Sequence, residues 1–162
     1  MSSREDILTR LHDNIKERFD MPEIAINGIQ YNDPVEQFVN ACKTISGANV
    51  CFDNPPSDDE RGESSTVRGD IAVAENGCIW IPQREDDRSF LFKSEHLNII
   101  VSRKDVVNNM HEAYDRIAAS KEYFKDYKFG TFISGPSKTA DIEGALVYGA
   151  QAARSVTVYI IP

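Results

Sequence analysis

At 162 residues, 41% hydrophobic and 27% charged, the chain has the size and balance of one ordinary globular domain whose core needs no covalent staples. A net charge of −8, with no Lys/Arg cluster to override it, argues against nucleic acid and anionic membrane surfaces as partners. No apolar run approaches the roughly 18 residues of a membrane span, and the charged start "MSSREDILTRL" lacks the apolar centre of a signal peptide, so a cytoplasmic protein is expected.

In chain order, the first helix is marked by Ser2 and Glu5 at capping-box spacing. Ile7, Leu8, Leu11, Ile15 and Phe19 then recur at helical intervals, opposite Arg10, Asp13, Lys16 and Glu17. The second helix is marked more sharply. Asp33 is a natural N-cap, Pro34 suits the first helical position and Glu36 completes the box. Gly47 is placed to end the helix behind the stripe Val35, Phe38, Val39, Cys42 and Ile45. "ANVCF" reads as a short buried strand. The stretch 53–66 is acidic, holds two prolines and has no large apolar residue, so it reads as an exposed loop.

Order returns in "DIAVAENGCIWIP", where Asn76-Gly77 between two β-runs is a hairpin signal. "SFLF" and "HLNIIVS" read as strands. "RKDVVNNMHEAYDRIAASKEYF" reads as a helix, on the spacing of Val106, Val107, Met110, Tyr114 and Ile117. "FGTFI" is a strand, "TADIEGALVYG" a short helix and "SVTVYII" the last strand. Nearly continuous apolar strands suit a sheet covered on both faces, and right-handed crossovers would set the last three strands parallel. The expected fold is a three-layer α/β sandwich with a mixed, mostly parallel sheet. It forms one domain over 1–162: helices over 1–48, the loop over 53–66 and the core over 67–162.

Open α/β sheets collect ligands beyond the carboxyl ends of their strands. "SGPSKTADIEG" follows the strand "GTFI" and opens the expected helix. Gly135 and Pro136 turn the chain there. Ser134, Ser137, Thr139 and the free amides of a helix start can then converge, and Lys138 adds a positive charge. That chemistry suits a small anion, carboxylate or phosphate. The plainer alternative is a cap at Thr139 with Asp141 and Glu143 in the first turn, which leaves the two serines, Gly-Pro and the lysine without a role. Glu75, just before the hairpin turn, is a second candidate, a base or nucleophile if partly buried and otherwise an exposed glutamate. Of the three histidines, His12 and His111 fall on polar helix faces, while His96 opens a strand where it can face a cleft. Cys42, Cys51 and Cys78 are scattered in apolar company with no C-x-x-C pair. No metal site, iron–sulfur cluster or disulfide framework is expected, and no flavin or nicotinamide motif is visible.

The stretch "GTFISGPSKTADIEGALVYGAQAARSVTVYII" resembles the C-terminal signature of the LUD (lactate-utilisation domain) family, in which a strand leads into S-G-P-S-x-T-A-D-I-E. "DIAVAENGCIWIP" is similar to that family's A-x-A-E-T-G-T segment, and "SEHLNIIVSRKDVVNNMHEA" to the stretch after it, with His96 at the matched histidine. The resemblance covers roughly 67–162. It implies a fold like that of ribose-phosphate isomerases, glucosamine-phosphate deaminases and CoA transferases. It also implies organic-acid metabolism of the L-lactate-utilisation kind, as a non-redox subunit beside iron–sulfur oxidoreductase subunits. Carried over residue by residue are Glu75 and Gly77, then Ser134, Gly135, Pro136, Ser137, Thr139, Asp141, Ile142 and Glu143. Glu75, Asp141 and Glu143 become the acid/base candidates. Gly77, His96 and Ser134 to Thr139 become the ligand-binding ones, with no cofactor of the chain's own. The sequence departs from the family pattern at Asn76 and Cys78, where hydroxyl residues are usual. It departs again in "YGAQAARS", which lacks a histidine expected near Gln151, and in having no proline a few residues before His96. A non-catalytic sensor or scaffold, and a sugar-phosphate or CoA-ester enzyme by fold analogy, are the alternatives. Whether the chain is itself an enzyme, and whether it forms a homo-oligomer, stays open.

Overall fold

The computed structural model describes residues 3–14, 20, 27–55, 63–83, 89–120, 129–140 and 144–162. Helix α1 (Ser3–Asp13) forms where its spacing predicts, yet none of its residues is buried, and Ile7, Leu8 and Leu11 face solvent. Ser2, Ile15 and Phe19, which complete that predicted helix, lie outside the described residues. Helix α2 (Pro34–Ala41) starts as its cap dictates. Asp33 Oδ1 accepts from the backbone N of Val35 at 2.9 Å and of Glu36 at 3.0 Å. The helix then widens into a π-turn, Cys42–Ser46, before Gly47 ends it. The wider turn shifts the side-chain phase. Cys42 and Ser46 are buried as a result, while Ile45, expected in the apolar stripe, is 57% exposed.

In chain order the strands are β1 (Asn49–Cys51), β2 (Ser64–Arg68), β3 (Ile71–Val73), β4 (Ile79–Pro82), β5 (His96–Ser102), β6 (Val106–Val107), β7 (Gly130–Ile133), β8 (Lys138–Thr139), β9 (Val147–Tyr148) and β10 (Ser155–Ile161). The first sheet runs β1-β10-β5-β2 with every neighbouring pair parallel. The second runs β6-β3-β4-β7, parallel between β3 and β6 and antiparallel elsewhere. β8 and β9 form a separate antiparallel pair. Alternation sorts the residues into layers. Ala72, Ile79 and Ile81 join Leu97, Ile99, Val101, Val156, Val158, Ile160 and Phe38 in the large core between the sheets. Ile71 and Val73 point the other way, onto Ala113 and Ile117 of the helix Met110–Ala119. Two sheets and that helix make a three-layer α/β fold with mixed sheets.

The Asn76-Gly77 hairpin forms as expected, with Ile71 opposite Trp80 and Ala72 opposite Ile79. Asn76 Oδ1 accepts from Cys78 N at 3.0 Å and closes the turn.

Five expectations are corrected. The loop predicted through residue 66 gives way at Ser64 to β2, a hydroxyl-rich edge strand in which Val67 alone is buried, so it carries no apolar run to betray it. "SFLF" is one turn of helix, α3 (Phe90–Lys93), with Lys93 N bonded to Ser89 O at 2.9 Å. The next helix begins at Met110 rather than among Arg103 to Val107, because Asn109 caps it and Val106–Val107 pair with β3. This helix, α4 (Met110–Ala119), is therefore shorter than its pattern, and residues 121–128 of that pattern are not among those described. β7 does not join the parallel set but lies antiparallel to β4, so the last three long strands are not mutually parallel. Finally, no helix opens at Thr139, since Lys138 and Thr139 pair with Tyr148 and Val147 in a hairpin. Four polar or small residues after Pro136 satisfy their backbone locally as easily in a hairpin as in a helix, and pairing decided it.

Candidate functional site

Three segments distant in sequence meet at one place: the end of α2 with its π-turn, the 76–78 turn and the loop after β7. Gly135, at φ +68°, lies so close to the π-turn that a Cβ there would sit 2.0 Å from the Ser46 carbonyl oxygen. Only glycine fits both that conformation and that approach. Lys138 Nζ donates to the same Ser46 oxygen at 2.5 Å. Ser137 is pinned through its backbone, its N donating to Ala153 O at 2.9 Å and its carbonyl accepting from Gly149 N at 3.0 Å. Ser134 Oγ reaches toward the Asn76 carbonyl at 3.5 Å. Gly77 closes the contact from beneath, where a Cβ would meet the backbone of Ala41 and Cys42 at 3.2 Å.

Two thiols lie behind this junction. Burial pushes the Cys42 thiol up to about 11, a hydrogen bond with Ser46 pulls the other way, and nearby Cys78 pushes it further up. Cys78 is also raised, chiefly by burial, against a Ser134 hydrogen bond and with the Glu75 charge adding to the rise. Both are neutral thiols near pH 7 and poor nucleophiles.

In front of the loop lies a cleft of about 400 Å³. Leu97, Phe132, Ile133, Ala153 and Val156 line its apolar side, Ser134, Ser137 and Lys138 its polar side, and Phe92 and Gln151 also border it. Among its described lining residues Lys138 carries the one charge. The cleft does lie beyond the carboxyl end of β7. For the parallel sheet, however, it sits at the amino ends, because Leu97 and Val156 are the second residues of β5 and β10. That reverses the expected end and follows from β7 belonging to the other sheet.

The structure therefore brings Ser134, Gly135, Pro136, Ser137 and Lys138 to the cleft, with Gly77 buried beside the junction. Thr139 is held in β8 opposite Val147 and does not line it. Glu75 is exposed, and its Oε2 accepts from Met110 N at 3.0 Å, at the positive end of α4. Its carboxylate thus serves the helix rather than the cleft. His96 is exposed, with Nδ1 2.7 Å from Ser155 Oγ, and is not a lining residue. Asp141, Ile142 and Glu143 lie outside the described residues. Sequence reasoning missed Ser46 and Phe92. Nothing in spacing marks Ser46, which only the π-turn tucks inside, and Phe92 was hidden by the strand-like look of "SFLF".

The family model of the LUD domain matches residues 67–161, more than half of the chain. The chain belongs to the LUD family. Its fold is similar to that in the crystal structure of a DUF162 family protein from Deinococcus radiodurans, with a TM-score of 0.58 and 13% identity over 83% of this chain and 99% of that one. At that identity the likeness speaks for the fold. No curated protein matches significantly. Within this LUD chain, the two signature segments quoted above contain the 76–78 turn and the 134–138 loop, which the fold sets side by side.

Proposed function

We propose that this LUD protein works in organic-acid metabolism of the L-lactate-utilisation kind, as a non-redox subunit that binds a small carboxylate or other anion in the cleft beside Ser134 to Lys138. The observation that carries this is the cleft's charge. In a chain of net charge −8, the described lining holds one ionic group, and it is a cation, Lys138, flanked by the Ser134 and Ser137 hydroxyls over an apolar floor. Such a site attracts an anion electrostatically and shelters a short carbon chain. Binding rests on the loop's hydroxyls and Lys138, since the helix start that would have cradled a phosphate is a hairpin here. Electron transfer is assigned to iron–sulfur partner subunits.

Thermal-shift titration of the purified chain with L-lactate, pyruvate and related acids tests the binding. A saturable rise in Tm is expected, lost in Lys138→Met and reduced in Ser137→Ala. A rise of equal size in Lys138→Met would move the ligand elsewhere. L-lactate-dependent reduction of an artificial acceptor by the chain alone would overturn the non-redox assignment.

A further inference from the structure

The floor of the cleft beside Ser134 to Lys138 is the large core between the sheets. Leu91, Leu97, Ala153 and Val156 line the cleft and belong to that core, each buried. Leu97 and Val156 stand side by side in the β5–β10 register and present one continuous aliphatic surface. Ile133, at the end of β7, packs against the same core and also lines the cleft. Phe92 borders it with a ring that is 47% exposed. The polar loop abuts this floor directly, since Ser137 N donates to Ala153 O at 2.9 Å. Lys138 keeps two of its three donors after its bond to the Ser46 carbonyl.

Size separates the acids that such a cleft suits. At about 400 Å³ it holds roughly a dozen non-hydrogen atoms, taking about 30 Å³ for each as for liquid water. A three-carbon hydroxy acid held at the loop would fill about half of that space and leave water on the aliphatic floor. Each methylene that displaces such water gains affinity, because apolar surface on both sides leaves the solvent. Resting on the small-anion assignment above, we propose that the preferred ligand is a monocarboxylate with an apolar tail of about four to seven carbons, bound ahead of three-carbon acids. Lys138, Ser134 and Ser137 hold the carboxylate, and the tail lies on Leu97 and Val156 beside Phe92.

Isothermal titration of the full chain at fixed ionic strength and pH 7 decides this. The probes are acetate, butyrate, hexanoate and octanoate, with L-lactate as the short hydroxy acid and hexan-1-ol as the neutral tail alone. Affinity is expected to rise about two- to fourfold per methylene along the series, at about one acid per chain, until the tail fills the cleft. Phe92→Ser, at a half-exposed position and with folding checked by Tm, should flatten that rise. Ala152→Leu, which adds bulk to the lining, should end the rise at a shorter acid. Lys138→Met should weaken every acid by a similar factor, because it removes a contact to the head and none to the tail. Binding of acetate or L-lactate with hexanoate and octanoate no tighter would overturn the apolar tail and leave the small-anion site standing. Uptake of several long acids per chain would also overturn it, by showing unspecific adsorption. Hexan-1-ol binding as tightly as hexanoate, or failure of every probe to bind, would overturn the small-anion assignment and this proposal together.

Discussion

Replacing Gly135 by alanine tests the junction on which the site is built. Two effects add. The residue sits at φ +68°, where an L side chain strains the backbone by roughly 1–2 kcal/mol. The new Cβ would also fall 2.0 Å from the Ser46 oxygen and 2.7 Å from its carbonyl carbon, both backbone atoms that no rotamer change can remove. Restoring ordinary contact needs a retreat of roughly 1.4 Å in a packed region, and overpacking of that kind costs about 1–3 kcal/mol. The sum, about 2–5 kcal/mol, corresponds to a fall in Tm of roughly 4–20 °C for a chain of this size. The matching control is Gly144→Ala, which has φ +71° but nothing within 4 Å of the added Cβ, so that the conformational effect alone remains. Differential scanning calorimetry of the two variants and the parent protein separates strain from clash. If Gly135→Ala melts no lower than Gly144→Ala, the 134–138 loop does not press on the π-turn as described, and the site's rigidity needs another source.

Three further outcomes are expected. Glu75→Gln should lower stability by roughly 0.3–1 kcal/mol, because it removes the negative charge at the α4 N-terminus, while leaving anion-induced thermal shifts unchanged; loss of the ligand response would restore Glu75 to the binding chemistry. For Glu112, desolvation raises the carboxyl's pKa, but hydrogen bonds from Asn108 and Gln30 and the Arg116 charge outweigh it and hold it below the usual 4.5. A carboxyl depressed by folding contributes stability above its unfolded value and loses it as pH falls through the folded one. Melting temperature measured from pH 6 to pH 3 should therefore drop below about pH 4.5 less steeply in Glu112→Gln than in the parent, and identical slopes would refute the assignment. Alkylation by iodoacetamide at pH 8 should spare Cys42 in the native protein and modify it on denaturation, read by peptide mass spectrometry; prompt native labelling would show that the thiol is neither buried nor raised.

Much of this architecture was legible in one dimension because local chemistry enforces it. Asp33-Pro34 starts α2, since a carboxylate at the cap satisfies orphan amides whatever surrounds it. Asn76-Gly77 turns a hairpin, and "HLNIIVS" and "SVTVYII" could only be buried strands. The importance of the Ser134–Lys138 loop was equally visible, because Gly-Pro among hydroxyls and a lysine exceeds what a connection needs. What local chemistry did not encode was partnership. β2 is recognisable only from its neighbour β5, and "SFLF" has too few residues for period 2 to be told from period 3.6. Lys138 and Thr139 took a strand over a helix start because they found Tyr148 and Val147 across from them.

Residue types and spacing alone determined that this acidic chain folds as an α/β domain with a special loop after the "GTFI" strand. Only the tertiary structure decided which groups share that loop's cleft. A carboxylate such as Glu75 goes wherever the nearest unsatisfied amides are, and here they belong to α4. Lys138 is drawn to the Ser46 carbonyl of the π-turn, and Phe92 and Leu97 reach the cleft from chain segments whose spacing holds no trace of the loop. Proximity between distant segments is a property of packing, which is why the loop could be found from sequence and its companions could not.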